Sequence, residues 1–472
     1  MARIGVISIS DGREHVHRGV RDFILGKEDA LVGALEAAGH EVVRGSEPVN
    51  GNVVATAVAR EVAAAGVDLT VLHYAVWAFP HFTMLAADAT PGPLVLLASI
   101  DPTEPGMVGM LAAGGALDQI GRSHTRQWGA PDAELVAAIT ARADAARAVK
   151  ALRGSTFGRI GGRPMGMNTT VANTDQWQRL FGIDVEEIDQ WEIVRRTEAA
   201  DPAELRRGRE WFERLATVHY DGAKLTPELL ERQIGTYAAM RGLIEERSLD
   251  FTGVKAQPEL TEHFCTMDVA EALLNDPYDY NGPKEPHICA TEADMDGALT
   301  MRLMNSIART PVLFADVRHY HGDRDIWDLC NSGQHATWYA ARSDDPAENL
   351  ARVHLHPEVV FFPAGGASVQ HIAAPGRMTL ARLTRLDGDY RLHLMLGDFE
   401  SFDAATTDTL TKQSTPEWPH AFARLDADAP DFLSRFGANH IHAVPGDVRP
   451  QMRAVAELLG IRLDEFTRSG AA

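Results

Sequence analysis

Cysteine is scarce: Cys265, Cys289 and Cys330 are the three in a chain of 472 residues. An odd, sparse set without paired spacing excludes a disulfide framework and a cysteine-built metal site, and reads as reduced thiols of a cytoplasmic protein. Basic charge is also in short supply. Lys and Arg number 45 against 66 Asp and Glu, a formal net charge of −21, so repulsion disfavours nucleic acid and anionic membrane as partners. No run approaches the ~18 consecutive apolar residues of a membrane span. The opening Met1-Ala2-Arg3-Ile4-Gly5-Val6-Ile7-Ser8 lacks the apolar stretch of a secretion signal.

What is present is ordinary globular composition, 45% hydrophobic and 24% charged, at a length that accommodates two or three domains. Residues 3–9, 41–43, 67–74 and 94–98 read as apolar strands, with helical patterns between them at 55–65 and after the last of them at 132–152. Strands alternating with helices predict a parallel sheet covered on both faces. A second α/β unit begins near Gly158, with helices near 202–216 and 226–248 and a strand at 251–255. Beyond about residue 345 the texture changes to short alternating segments, 352–362, 378–386 and 389–397, joined by Pro, Gly and Asp. A helix at 447–459 closes the chain. The predicted fold is α/β: two parallel-sheet domains, 1–152 and 153–345, followed by a β-rich, barrel-like C-terminal domain, 346–472.

The stretch richest in chemistry is 284–320, KEPHICATEADMDGALTMRLMNSIARTPVLFADVRHY. Residues 287–290 read as a strand with Glu292 just beyond it, 294–308 as a helix, and 311–315 as a strand with Asp316 after it. Taken as one βαβ unit, this puts both carboxylates at the carboxyl edge of one sheet, where open α/β sheets bind ligands. Converging carboxylates can hold a hard divalent cation or act as acid and base. Equally, Glu292 can cap a helix and Asp316 can start a turn. Asp294 and Asp296 fall in the first helical turn, where acidic residues are favoured, and are read as structural.

TEADMDGALTM followed by FADVRHY resembles the paired metal motifs of the L-fucose isomerase family. The resemblance implies Glu292 and Asp316 as Mn²⁺ ligands, with another divalent cation as the alternative. The third ligand it implies is a histidine from Asn439-His440-Ile441-His442; the Asn-His pair selects His440 over its neighbour His442. GGRPMGMNTTVANTDQWQRLFGIDVEEID (161–189) resembles the opening of the family's second domain. Further matches imply sugar contacts from Gln257 in Lys255-Ala256-Gln257, Ser332 in Asn331-Ser332-Gly333, Trp418 in Pro416-Glu417-Trp418-Pro419, and Asn439. Asp11-Gly12-Arg13 and Trp77 resemble positions that reach a neighbouring subunit's site, which implies a homo-oligomer, a hexamer, with shared sites.

The activity implied is that of a metal-dependent ketol isomerase acting on an open-chain sugar of the L-fucose or D-arabinose type. Glu292 and Asp316 would move a proton between C1 and C2 through a cis-enediol, with a hydride shift as the other route. Two alternatives are open. DGREHVHRGVR gathers Arg13, His15, His17, Arg18 and Arg21 in an otherwise acidic chain; Arg18 and Arg21 read as a solvated helix face, and Arg13 with His15 or His17 would suit the sulfonate of sulfoquinovose. A sugar-binding regulator without turnover is the other.

Overall fold

The computed structural model describes residues 1–332 and 334–468; Gly333, part of the predicted sugar loop, lies outside them. The chain divides into two compact units, Met1–Ala151 with Arg453–Leu458, and Leu152–Met452 with the chain from Leu459 onward.

In the first unit, strands β1 (Arg3–Ser8), β2 (Glu41–Arg44), β3 (Leu69–Tyr74), β4 (Leu94–Ala98) and β5 (Thr125–Trp128) form one parallel sheet in the order β2-β1-β3-β4-β5. Every residue of β3 and β4 is buried. Central parallel strands are covered on both faces, which is why they read as continuous apolar runs rather than alternating ones.

The second unit holds two main sheets. Its first strands are β6 (Thr156–Ile160), β7 (Asp184–Ile188), β8 (Thr217–Val218), β9 (Phe251–Val254), the hairpin β10 (Tyr278–Asp279) and β11 (Gly282–Pro283), and β12 (Cys289–Thr291). Of these, β12-β9-β6-β7 make a parallel sheet. Strands β13 (Leu313–His321), β14 (Ile326–Cys330), β15 (His354–Pro357), β16 (Ala367–Gln370), β17 (Gly376–Leu386), β18 (Asp389–Phe399), β19 (His420–Leu425), β20 (His440–Pro445) and β21 (Arg462–Glu465) follow. The large sheet runs β17-β20-β13-β14-β19-β18-β21, and β17 also pairs with β18. That extra pairing closes six antiparallel strands into a ring, which is the β-rich, barrel-like architecture expected, with β21 alongside in parallel. A small sheet, β16-β15-β8, lies apart from the ring.

Five expectations need correction. The segment 284–320 is not one βαβ unit: β12 belongs to the parallel sheet, whereas β13 is a ring strand pairing antiparallel with β14 and β20. The ring therefore begins at Leu313, ahead of the expected change of texture at 345. Asp316 lies within β13 rather than after it. Of 352–362 only His354–Pro357 is strand. The helix Arg449–Leu459 does not close the chain, because β21 follows it.

The two sheets of the second unit meet across the helix Met295–Ala308, which packs against β9 and β12 on one side and β17 and β20 on the other. Its first turn is anchored from the ring. Asp296 accepts from Arg385 Nε at 2.8 Å and from the Tyr390 hydroxyl at 2.8 Å. The Tyr390 oxygen in turn accepts from Trp177 Nε1 at 2.8 Å.

Candidate active site

Glu292 sits just past the end of β12, in a backbone conformation that side chains with a Cβ rarely adopt: φ is 57° at Glu292 and 47° at Ala293. Each left-handed non-glycine residue costs about 1–3 kcal/mol and persists only where its surroundings enforce it. Here the strained pair swings the chain from β12 into the helix while Ala293 N still bonds Val254 O at 2.9 Å. Asp294 then caps the helix, its Oδ1 accepting from Gly297 N at 2.9 Å.

Asp294 does more than cap. Its carboxylate takes both arms of the Arg382 guanidinium, at 2.5 and 3.0 Å, and accepts from His440 Nδ1 at 2.7 Å. All three groups are fully or almost fully buried. Burial by itself would raise the Asp294 pKa, but Arg382 and His440 hold it far below the usual carboxylate range. With Nδ1 donating to Asp294, the other ring nitrogen of His440 is left to face Glu292 and Asp316. Nε2 lies 2.8 Å from Glu292 Oε2 and 3.5 Å from Asp316 Oδ1. Burial disfavours a charged imidazole, yet the hydrogen bond to Asp294 and the charges of Asp294 and Glu292 outweigh it and lift the His440 pKa to about 10.

Asp316 reaches the same place from β13, where it pairs across the ladder with His440. Its oxygens accept from Asn439 Nδ2 at 3.1 Å and Asn331 Nδ2 at 3.2 Å. Burial, reinforced by the nearby Glu292, raises its pKa against the opposing pull of His440, Asn439 and Arg318. From Asn331 the polar contacts run on: Ser332 N and Oγ donate to Asn331 Oδ1, and Gln257 Nε2 donates to Ser332 Oγ at 3.3 Å. Gln257 and Trp418 line a recess of ≈ 360 Å³ together with Arg318 and Phe362. The Trp418 ring stacks on Phe362 and receives the Arg318 guanidinium 5.2 Å from its centroid. Its Nε1 donates to Glu358 Oε2 at 3.2 Å.

So the structure brings Glu292, Asp316, His440, Asn439, Ser332, Gln257 and Trp418 into one neighbourhood of the second unit. Asp294, Arg382, Asn331 and Arg318 join them. His442 is close by but turned elsewhere: its Nε2 lies 3.3 Å from Arg382 Nη1, and no contact joins it to Glu292 or Asp316 among the described residues.

Arg13, His15, His17 and Trp77 belong to the first unit. There the expected open basic cluster is not what forms. The Arg13 guanidinium is gripped at two points by Asp11, at 2.9 and 2.6 Å. His17 is buried, with Nδ1 2.9 Å from Ser10 Oγ. Of the three, His15 is exposed with no hydrogen-bond partner among the described residues, and Trp77 is half-buried.

The donor set fits a hard divalent cation. Two carboxylates and one imidazole are the ligands such an ion takes. Glu292 Oε2 and His440 Nε2 are both buried and, despite their 2.8 Å separation, neither has a hydrogen bond of acceptable geometry. Buried polar atoms left this way call for an explanation. The carboxylate–histidine pairing of Asp294 and His440 is the arrangement that fixes a ligating imidazole. The cage is not closed, however: among the described residues only a separate histidine trio has all its ligand atoms within 4.8 Å of one another.

Models of the first N-terminal, second N-terminal and C-terminal domains of L-fucose isomerase match residues 1–154, 244–309 and 329–467. L-fucose isomerase of Escherichia coli strain SMS-3-5 is 24% identical over 550 aligned positions, covering 98% of this chain and 92% of its own. The enzyme of strain K12 / DH10B is 23% identical over the same coverage. Among solved structures, a periplasmic solute-binding protein from Actinobacillus succinogenes 130z is 10% identical over 55% of this chain and 80% of its own. Its TM-score of 0.17 is too low to bear on the fold. The chain belongs to the L-fucose isomerase family and is an enzyme of the ketol isomerase kind.

Proposed function

We propose that this isomerase depends on a divalent cation, Mn²⁺, and interconverts an aldose and a ketose of the L-fucose or D-arabinose type in their open-chain forms. The observation that carries the reading is the pair of buried, unsatisfied atoms Glu292 Oε2 and His440 Nε2 facing Asp316. Glu292, Asp316 and His440 would hold the cation. When bound, it supplies Lewis acidity at the sugar oxygens on C1 and C2.

The chain's own residues would do the rest. Asp294 holds the Nδ1–H of His440 in place, and Nε2, protonated at neutral pH beside Glu292, would give up its proton on ligation. Glu292 and Asp316 exchange a proton with C2 and C1, one as base and the other as acid, by way of a cis-enediol. Asn439 and Asn331 orient the Asp316 carboxylate by donating to both of its oxygens. Gln257, Ser332 and Trp418 would contact the sugar beyond C2. Discrimination among sugars falls to that far end, since the cation meets only the first two carbons. A neighbouring subunit of a homo-oligomer, a hexamer by family likeness, would add Trp77 and Arg13.

The sulfoquinovose reading keeps its place as the alternative within the family, but its sequence-level support is weaker. An Arg13 already paired with Asp11 has less to offer a sulfonate. A turnover screen of L-fucose, D-arabinose, L-arabinose and sulfoquinovose on metal-stripped protein, with and without added Mn²⁺, separates the readings. Neutral sugars should turn over only with Mn²⁺. Glu292→Gln and Asp316→Asn should each abolish turnover while the protein remains folded. Turnover in chelator, or by either variant, would remove the cation or that carboxylate from the mechanism.

A further inference from the structure

Three histidines stand together in the small sheet β16-β15-β8. His354 and His356 are two apart on β15, so they share a face, and Leu355 between them is fully buried on the other. His219 follows β8, whose parallel ladder with β15 continues through His219 N to Leu355 O at 2.9 Å. The three rings lie side by side. His219 and His356 stack with centroids 4.3 Å apart and planes at 3°, and His219 and His354 lie 5.3 Å apart at 14°. One potential ligand nitrogen from each falls within 4.8 Å of the other two, with His219 Nε2 and His354 Nδ1 only 3.0 Å apart.

We propose that His219, His354 and His356 form a second metal site, which takes a borderline transition ion of the Zn²⁺ class and is separate from the Glu292, Asp316 and His440 site. The choice of ion follows from the donors. Three imidazoles without a carboxylate suit Zn²⁺, Cu²⁺ or Ni²⁺, whereas an oxygen-rich set suits Mn²⁺ or Mg²⁺. The two sites of this unit therefore differ in the ion they prefer.

His219 is exposed, so the open side leaves room for water as a fourth ligand, the arrangement of three-histidine zinc centres. The mechanical effect is local. Strand β8 is two residues long and borders the small sheet. An ion shared between His219 and β15 pins the segment that leaves the helix Pro202–Leu215.

Co²⁺ reports on this site because its visible bands depend on ligand type and geometry. The probe is added to the full-length protein in excess Mn²⁺, and Zn²⁺ is then titrated in by calorimetry. The expected result is one Co²⁺ per chain with visible bands, displaced by one Zn²⁺, and a Zn²⁺-dependent rise in Tm. Loss of outer-shell partners alone costs metal sites roughly 10–100-fold. Removing two ligands in His354→Gln/His356→Gln should exceed that and abolish the bands, while Mn²⁺-supported turnover stays within about twofold. His219→Gln, at an exposed position, serves the same purpose should the double variant fold poorly. Parent protein that takes up no Co²⁺ in excess Mn²⁺, or variants that bind it like the parent, would overturn the proposal.

Discussion

Replacing Asp294 with Asn separates the two duties this residue performs. The helix cap survives, because Asn caps as well as Asp. Its single oxygen stays at the cap, so the amide nitrogen faces His440 Nδ1 and the acceptor there is lost. The charge disappears as well. Arg382, 1% exposed and paired through two bonds to Asp294, is left as a buried cation without its partner. Breaking such a pair costs about 3–5 kcal/mol, a loss that thermal unfolding of the metal-free protein will read as several degrees of Tm. Mn²⁺ affinity falls for a second reason: without a carboxylate on Nδ1 the imidazole is a poorer donor, an effect of about 10–100-fold, or about 1.4–2.8 kcal/mol. The two losses come apart in Asp294→Asn/Arg382→Met. Removing the orphaned cation restores most of the stability, whereas the Mn²⁺ dependence of turnover stays right-shifted. Parental Mn²⁺ affinity in Asp294→Asn would refute the tuning of His440. Stability that Arg382→Met fails to restore would refute the unpaired charge as the source of the loss.

Three further outcomes follow. Burial holds His73 at about 4 against an ordinary 6.5, so its contribution is intact above the unfolded value and is lost as pH falls from ~6.5 towards 4. The loss is about 3 kcal/mol; urea titrations at pH 7 and 4.5 should show it, and a parental pH slope in His73→Gln would exclude this histidine as its origin. Trp177→Ala removes a fully buried indole and its bond to Tyr390, and should cost about 3–5 kcal/mol in chemical denaturation; a cost under about 1 kcal/mol would mean the site collapses around the gap. Light scattering on active protein should give an oligomer, and a fully active monomer would dismiss shared sites.

The sequence was most legible where local pattern and burial coincide. Strands β3 and β4 are buried along their whole length and read as apolar runs; β17 and β18 read as antiparallel from two short segments joined at Asp387-Gly388, although both are buried almost throughout. The candidate ligands were legible through resemblance. Their route to one another was not. A strand, a helix and a strand have the same spacing whether the second strand rejoins the first sheet or enters another, so β12 and β13 looked like neighbours. Asp294 was hidden by its own cap, since an acidic residue there already has a sufficient local reason. Arg13 and His17 misled in the opposite sense: Asp11 and Ser10, a few residues away, absorb the groups that composition suggested were free. Arg382 gave no signal, because an arginine on a strand is ordinary until its partner is known.

The strands that carry Glu292 and His440 belong to different sheets, so the candidate centre has an order of assembly. The parallel sheet alone offers a strained turn bearing one carboxylate, and the ring alone offers Asp316 and an imidazole. Neither half can wait in finished form for the other, and contacts between residues so distant along the chain form late. Uptake of the cation should therefore be among the last events of refolding, and its appearance marks the moment the parallel sheet and the ring dock.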